Sequence, residues 1–299
     1  MRVLISGSTG LIGQRLVDDL TRNGDTVVRL VRGASPVTGE KIQWSPATGD
    51  VDASRLEGFD AVIHLAGESI ADGRWTEAKK KRIRDSRTIG TRHMSERLAK
   101  LAAPPKVFVS SSAIGYYGDR GETPVDETAT PGSGFLPDVC RDWEDATQPA
   151  AARGIRVVLI RTGIVLDANG GALAKMKLPF SLGVGGRLGD GRQYMSWISL
   201  DDIVGAYRHA IATPSLSGPV NGVAPEAVTN SDFTRALGRA LHRPTIFPVP
   251  QFAASLLLGE MADALLFSSQ RIVPTRLLST GYRFLHPDLD SSLKAALAQ

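Results

Sequence analysis

Arg2-Val3-Leu4-Ile5-Ser6-Gly7-Ser8-Thr9-Gly10-Leu11-Ile12-Gly13 is the stretch that decides the fold. Val3, Leu4 and Ile5 form a short apolar run suited to a strand buried on both faces. The glycines then fall in a G-x-x-G-x-x-G turn. Gly7 can take the angles of a sharp strand-to-helix turn. Gly10 has no side chain to hold a phosphate off the main chain, and Gly13 lets the following helix lie close on the strand. Leu11, Ile12, Leu16, Val17 and Leu20 recur at helical spacing, Asn23-Gly24 stops that helix, and Thr26–Val31 reads as a second strand. Amides left free at the helix start, together with the helix dipole, favour a phosphate there. The unit is a dinucleotide seat, with Gly7, Thr9, Gly10, Leu11, Ile12 and Gly13 as candidate contacts.

The second strand ends in Arg32, where dinucleotide-binding turns of this kind usually carry Asp or Glu for the ribose 2′-hydroxyl. A carboxylate would repel a 2′-phosphate, whereas a guanidinium pairs with it through two hydrogen bonds. The expected cofactor is NADP(H); the alternative for Arg32 is a solvated charge at a strand end.

Further strands follow at Ala61–Gly67, Lys106–Ser110 and Arg156–Ile160. Helical segments are expected over Glu77–Leu101 and Leu136–Arg153, the latter interrupted at Pro149. Alternating strands and helices imply an α/β protein with a Rossmann-like doubly wound parallel sheet. Ligands of such sheets bind beyond the carboxyl ends of the strands. Gly10, Arg32, Leu65-Ala66-Gly67 and Ser110–Ser112 all sit at such ends, so one crevice collects them. Residues 1–165 are read as the nucleotide domain, with returns of chain from the second half. Residues 166–299 are read as mainly a smaller substrate-binding lobe, with a helical extension over 250–299.

Of 299 residues, 42% are hydrophobic and 22% charged, as in ordinary globular proteins. The net charge of +4 comes without a long basic tract, and Lys79-Lys80-Lys81-Arg82 reads as a solvated helix face rather than a nucleic-acid site. Cys140 is the only cysteine, which excludes an internal disulfide, and no metal-ligand pattern appears. With a strand expected from residue 2, no signal peptide is expected ahead of it. Phe252–Phe267 is apolar but carries Glu260 and Asp263 and is shorter than the roughly 20 residues of a membrane span. It reads as a buried amphipathic helix. The expectation is a cytoplasmic protein, monomeric or homodimeric, that binds a small molecule and neither nucleic acid nor membrane.

Several motifs together resemble the extended short-chain dehydrogenase/reductases: the glycine turn, His64-Leu65-Ala66-Gly67, Gly90-Thr91, and Ser110-Ser111-Ser112-Ala113 leading to Tyr116-Tyr117-Gly118. Gly185–Gln193, Ser196-Trp197-Ile198 with Asp201-Asp202, and the run Pro250–Leu297 are similar to the sugar-nucleotide epimerase-like proteins of the atypical branch. The resemblance spans nearly the whole chain. It implies an NADP domain with a small substrate lobe, and names no substrate.

Active members of that superfamily use a Ser or Thr, a Tyr, and a Lys four residues after the Tyr on one helical face. Ser112 resembles the first of these, its alternative role being a backbone cap. The pair is missing: the residues four places beyond Tyr116, Tyr117, Tyr194, Tyr207 and Tyr282 are Arg120, Gly121, Ile198, Ile211 and His286. With Glu144 as anchor, Leu136 and Cys140 fall in the Tyr and Lys places. Tyr116 or Tyr117, reaching back from the loop, and Cys140 are the candidate substitutes. Tyr packing and a buried thiol are the plainer readings. Arg87, Lys175 and Trp197 are candidate substrate residues, with Lys177 beside Lys175. Two functions stay open: an NADP(H)-dependent oxidoreductase or epimerase-like enzyme acting on a carbonyl or sugar-nucleotide-type compound, and a regulatory or sensor protein that binds NADP(H) without catalysis.

Overall fold

The computed structural model describes residues 1–33 and 36–298. Its centre is a seven-stranded parallel sheet. Strands β1 (Arg2–Ser6), β2 (Thr26–Val31) and β3 (Lys41–Gln43) run outward from the middle, and β4 (Ala61–His64) then pairs with the other side of β1. Beyond β4 lie β5 (Val107–Ala113), Arg156–Thr162 and finally Gly218–Gly222, all parallel. The strand order therefore reverses between β1 and β4, which is where a doubly wound sheet opens a crevice.

Alternation sorts the strands' side chains between two cores. Val3 and Ile5 join Leu16, Leu20, Ile63, Val109 and Tyr207 under helix α1 (Leu11–Arg22) and helix Leu200–Ala212. Leu4 turns the other way, to Phe108, Met94 and Leu98, under helix α2 (Glu77–Ala99). Both faces are thus covered, which is why these strands read as apolar runs rather than as an alternation.

The strand Gly218–Gly222 and helix Leu200–Ala212 return from the second half of the sequence to the central sheet. A third core joins Leu173, Phe180, Trp197, Phe233, Leu237 and Leu293, outside the sheet. Asp202, in the first turn of helix Leu200–Ala212, anchors the tail to that helix. Its carboxylate accepts from the Ser199 hydroxyl at 2.7 Å and from the amides of Leu285 and His286 at 2.7 and 3.0 Å.

Three readings of the sequence need correcting. Leu136–Arg153 is two helices, α3 (Phe135–Asp145) and Gln148–Ala152. Pro149 stands in the first turn of the second, where its missing N–H costs no hydrogen bond. Phe252–Phe267 is not one buried helix. Gly259, at φ +64°, breaks it after Gln251–Leu258, and Phe252, Leu256 and Leu257 are more than 70% exposed. Lys79 is not solvated: it is buried and bonds Glu68 at 2.9 Å, while Lys80 pairs with Glu77 and Glu260 and Lys81 with Asp85. The basic run is thereby neutralised within the fold. No helix among the described residues is long and apolar enough to cross a membrane, and no group of three or more His, Cys, Asp or Glu among them could hold a metal ion.

Candidate functional site

The glycine turn is a cradle that side chains would fill. Gly7 sits at φ +69°, and a Cβ there would lie 2.7 Å from the carbonyl carbon of Leu65 and 2.8 Å from the Ala66 nitrogen. The turn after β1 thus rests directly on the segment after β4. A Cβ on Gly13 would lie 2.2 Å from the Gly7 oxygen, so α1 can approach the turn only with glycine there. Gly10 caps α1 without a side-chain hydrogen bond, and the first turn carries no acidic residue. The free amides and positive dipole end of α1 are therefore available to an anion. The Ser8 hydroxyl is buried beside them with no partner. Cradle, free amides and orphaned hydroxyl fit a dinucleotide pyrophosphate.

The other expected cofactor contacts divide. Thr9 and Gly67 are exposed, and Leu11, Ile12, Leu65 and Ala66 are half-buried along the same crevice. Arg32 is exposed just past β2. Ser110 is 0% exposed and its hydroxyl bonds the Ser111 carbonyl at 3.3 Å, so it offers no surface to a ligand.

At the end of β5, Ser112 belongs to a buried polar network. Its hydroxyl donates to Glu144 Oε1 at 2.7 Å. Arg161 grips the same carboxylate with two bonds of 2.8 Å and donates to the Tyr117 hydroxyl at 2.9 Å. Tyr117 donates in turn to Asn221 Oδ1 at 2.7 Å. The Arg161 guanidinium also lies 3.4 Å from the centre of the Tyr116 ring. Burial works against the arginine's charge, but the hydrogen bonds and charge of Glu144 outweigh it and hold the proton more tightly than usual. Tyr117 is fully enclosed, and burial pushes its hydroxyl up to about 12, with Arg161 pulling the other way.

The places of the missing Tyr and Lys are packed shut. A Cβ on Gly115 would lie 3.4 Å from Leu136 Cβ and 3.7 Å from Cys140 Sγ, so both side chains bear on the turn after β5. Leu136 also joins Trp75, Leu258, Met261 and Leu265, which brings the C-terminal helices over that position. Cys140 is buried, and burial together with the Glu144 carboxylate pushes its thiol up to about 12. A thiol so placed is neutral at pH 7 and poor both as a nucleophile and as an acid.

The candidate substrate residues separate in the same way. Trp197 is 1% exposed in the third core and presents nothing to a crevice. Lys175 reaches across to the Ala71 carbonyl at 2.6 Å and the Asp72 carboxylate at 3.1 Å, tying helix Gly171–Ser181 to the segment after β4. Arg87 lies against Gly67, at the crevice. Two members of the network escaped the sequence reading, Arg161 and Asn221. Arg161 had a signal: a lone charge closing the apolar run Val157–Ile160, on the strand that pairs with β5 and in register with Ser112. Asn221 had none, because its partner lies 104 residues away.

Comparison with known proteins agrees with this geometry. Residues 3–137 match the NAD dependent epimerase/dehydratase family, and residues 249–296 match a domain of unknown function, DUF1731. The chain is 46% identical to epimerase family protein Mb2239 of Mycobacterium bovis, over 97% of this chain and 96% of that protein. It is 36% identical to the Bos taurus epimerase family protein SDR39U1, over the full length of both. Among solved structures, human SDR39U1 (isoform 2) with NADPH superimposes with a TM-score of 0.91 at 34% identity, covering 100% of this chain and 99% of that one. The glycine cradle, the β1–β4 switch point and these relatives lead to one conclusion: the chain belongs to the NAD dependent epimerase/dehydratase family, among the epimerase family proteins that include SDR39U1.

Proposed function

We propose that this chain binds NADP(H) across Gly7–Gly13 and uses it in hydride transfer to or from a small carbonyl or hydroxyl compound. The observation that carries the reading is the cradle: a Cβ at Gly7 or Gly13 would collide with backbone, while Ser8 and the first amides of α1 are left without side-chain partners. Arg32, exposed just past β2, carries the charge that a 2′-phosphate would pair with, and human SDR39U1 was crystallised with NADPH. The cofactor supplies the hydride chemistry, and the chain supplies position. Ser112 has its single proton committed to Glu144, so towards a substrate its oxygen presents lone pairs. Such an oxygen receives a hydroxyl group better than it polarises a carbonyl. Glu144, held by Arg161, is the acceptor behind it.

A second reading is favoured by the packing of Leu136 and Cys140 where the Tyr and Lys of active relatives stand, and by the 3% exposure of Ser112. In it the chain holds NADP(H) as a structural or sensing ligand. Turnover separates the two. NADPH oxidation and NADP⁺ reduction are followed over a panel of carbonyls, alcohols and sugar nucleotides, with wild type and Ser112→Ala. Turnover that falls in Ser112→Ala supports hydride transfer. Protection of the fold by NADPH with no turnover in either protein supports the second reading, and equal turnover in both removes the role of Ser112.

A further inference from the structure

Arg87 differs from the cations around it in its partners. Lys79 and Arg82 pair with Glu68, Arg84 with Asp142, and Arg161 with Glu144. Arg87 gives one nitrogen, Nη1, to two main-chain carbonyls, those of Glu68 at 2.9 Å and Ile83 at 3.1 Å. Among the described residues no carboxylate pairs with it, and Nε and Nη2 meet no acceptor. Neither nitrogen is sealed from solvent.

The surroundings say where those nitrogens look. A Cβ on Gly67 would lie 3.4 Å from the guanidinium carbon and 3.6 Å from Nη1 and Nη2. Gly67 follows the Leu65-Ala66 segment that backs the Gly7 turn, so Arg87 borders the switch-point crevice. The opposite wall is α3. The guanidinium lies 5.1 Å from the Trp143 ring centre, and Cys140 is close enough to feel its charge. The next residue of that helix, Glu144, holds the Ser112 hydroxyl. Arg87 therefore stands on the β5 side of the crevice, with Ser112, rather than over the glycine turn.

A guanidinium is costly to bury without a counter-charge. Burial here does disfavour its charge. Two carbonyls, one aromatic face and the charge of the nearby Glu68 carboxylate, which Lys79 and Arg82 share, offset part of that cost, and an anion on the free nitrogens would offset more. Resting on the NADP(H) reading above, we propose that Arg87 receives an anionic group of the substrate, a carboxylate, while Ser112 takes a hydroxyl of the same molecule. The substrate class is then a hydroxy acid and its keto counterpart. A phosphate of the cofactor is the other source of the same chemistry, and the test separates them.

NADPH-loaded protein is titrated with acetate and malonate, against acetamide and malonamide at constant ionic strength. Thermal midpoint and tryptophan fluorescence are read, Trp143 being the ring on Arg87. The carboxylates raise the midpoint and change the fluorescence, and the amides do neither. Arg87→Gln binds malonate about tenfold or more weakly, the worth of a charge-assisted pair. Arg87→Lys, which keeps the charge, retains most of the binding, and NADPH affinity is unchanged in both variants. No response to either carboxylate, or an equal response in Arg87→Gln, overturns the proposal. If malonate instead competes with NADPH, and Arg87→Gln weakens NADPH itself about tenfold, the anion is a cofactor phosphate and the substrate assignment falls. If wild type binds no NADPH, the earlier reading fails by itself, and the same titration on cofactor-free protein decides Arg87 separately.

Discussion

Arg161→Met is the perturbation whose cost the structure defines most closely. Arg161 is 3% and Glu144 10% exposed, so solvent does little to screen the pair. Removing the guanidinium takes away both 2.8 Å bonds to Glu144 and the 2.9 Å bond to Tyr117. Tyr117 keeps Asn221 as acceptor, and Glu144 keeps only the Ser112 hydroxyl. A buried carboxylate left with one neutral donor costs about 3–5 kcal/mol. Glu144→Leu, which strands the cation instead, costs a similar amount. The double variant removes both charges at once, and an apolar replacement of a buried pair is often close to neutral. The double loss is therefore smaller than the sum of the single losses by about 2 kcal/mol or more. Urea unfolding of the four proteins at pH 7 measures the cycle. Single losses below about 1 kcal/mol that simply add are what an exposed pair gives, and would show that the pair is not a buried, coupled one.

Gly13→Ala abolishes NADPH binding in a calorimetric titration while the protein stays folded, since its Cβ would sit 2.2 Å from the Gly7 oxygen and α1 must move off the turn; retained affinity shows that the cradle is not needed. His64 is held neutral by burial, with its pKa lowered from 6.5 to about 4. The unfolded chain takes up a proton near 6.5 and the folded one does not, so stability is full above that pH and falls by about 3 kcal/mol as the pH drops towards 4. Acid unfolding of His64→Gln lacks that component; identical profiles for the two proteins contradict it. Cys140, buried with its thiol pushed up to about 12, reacts with iodoacetamide at pH 7.5 only on unfolding. Rapid labelling of folded protein would show the thiol to be accessible.

The parts of this molecule that could be read in advance are those written in local pattern. The turn Gly7–Gly13, the apolar run Val3–Ile5 and the helical spacing of Leu16 and Leu20 each lie within one strand or one helix, and each stands where its period puts it. The Ser112 network is different. Ser112 meets Glu144 over 32 residues and Tyr117 meets Asn221 over 104, and only the pairing of Gly218–Gly222 with Arg156–Thr162 closes the circuit. Charge alone also misleads. Lys79 is buried because Glu68 and its own aliphatic stem make burial tolerable, which the run of four basic residues does not reveal. The stretch Phe252–Phe267 shows the converse: hydropathy reports which side chains avoid water in principle, yet the helix ends at Gly259 and Phe252, Leu256 and Leu257 stand exposed.

Selection of NADP(H) by the turn Gly7–Gly13 together with Arg32 is decided by titration calorimetry of NADPH against NADH, in wild type and in Arg32→Glu. Wild type is expected to bind NADPH at least about tenfold more tightly than NADH, the worth of a charge-assisted pair to the 2′-phosphate, and Arg32→Glu to lose or invert the preference. Equal affinity for the two cofactors in wild type, or an NADPH preference that survives Arg32→Glu, would contradict it.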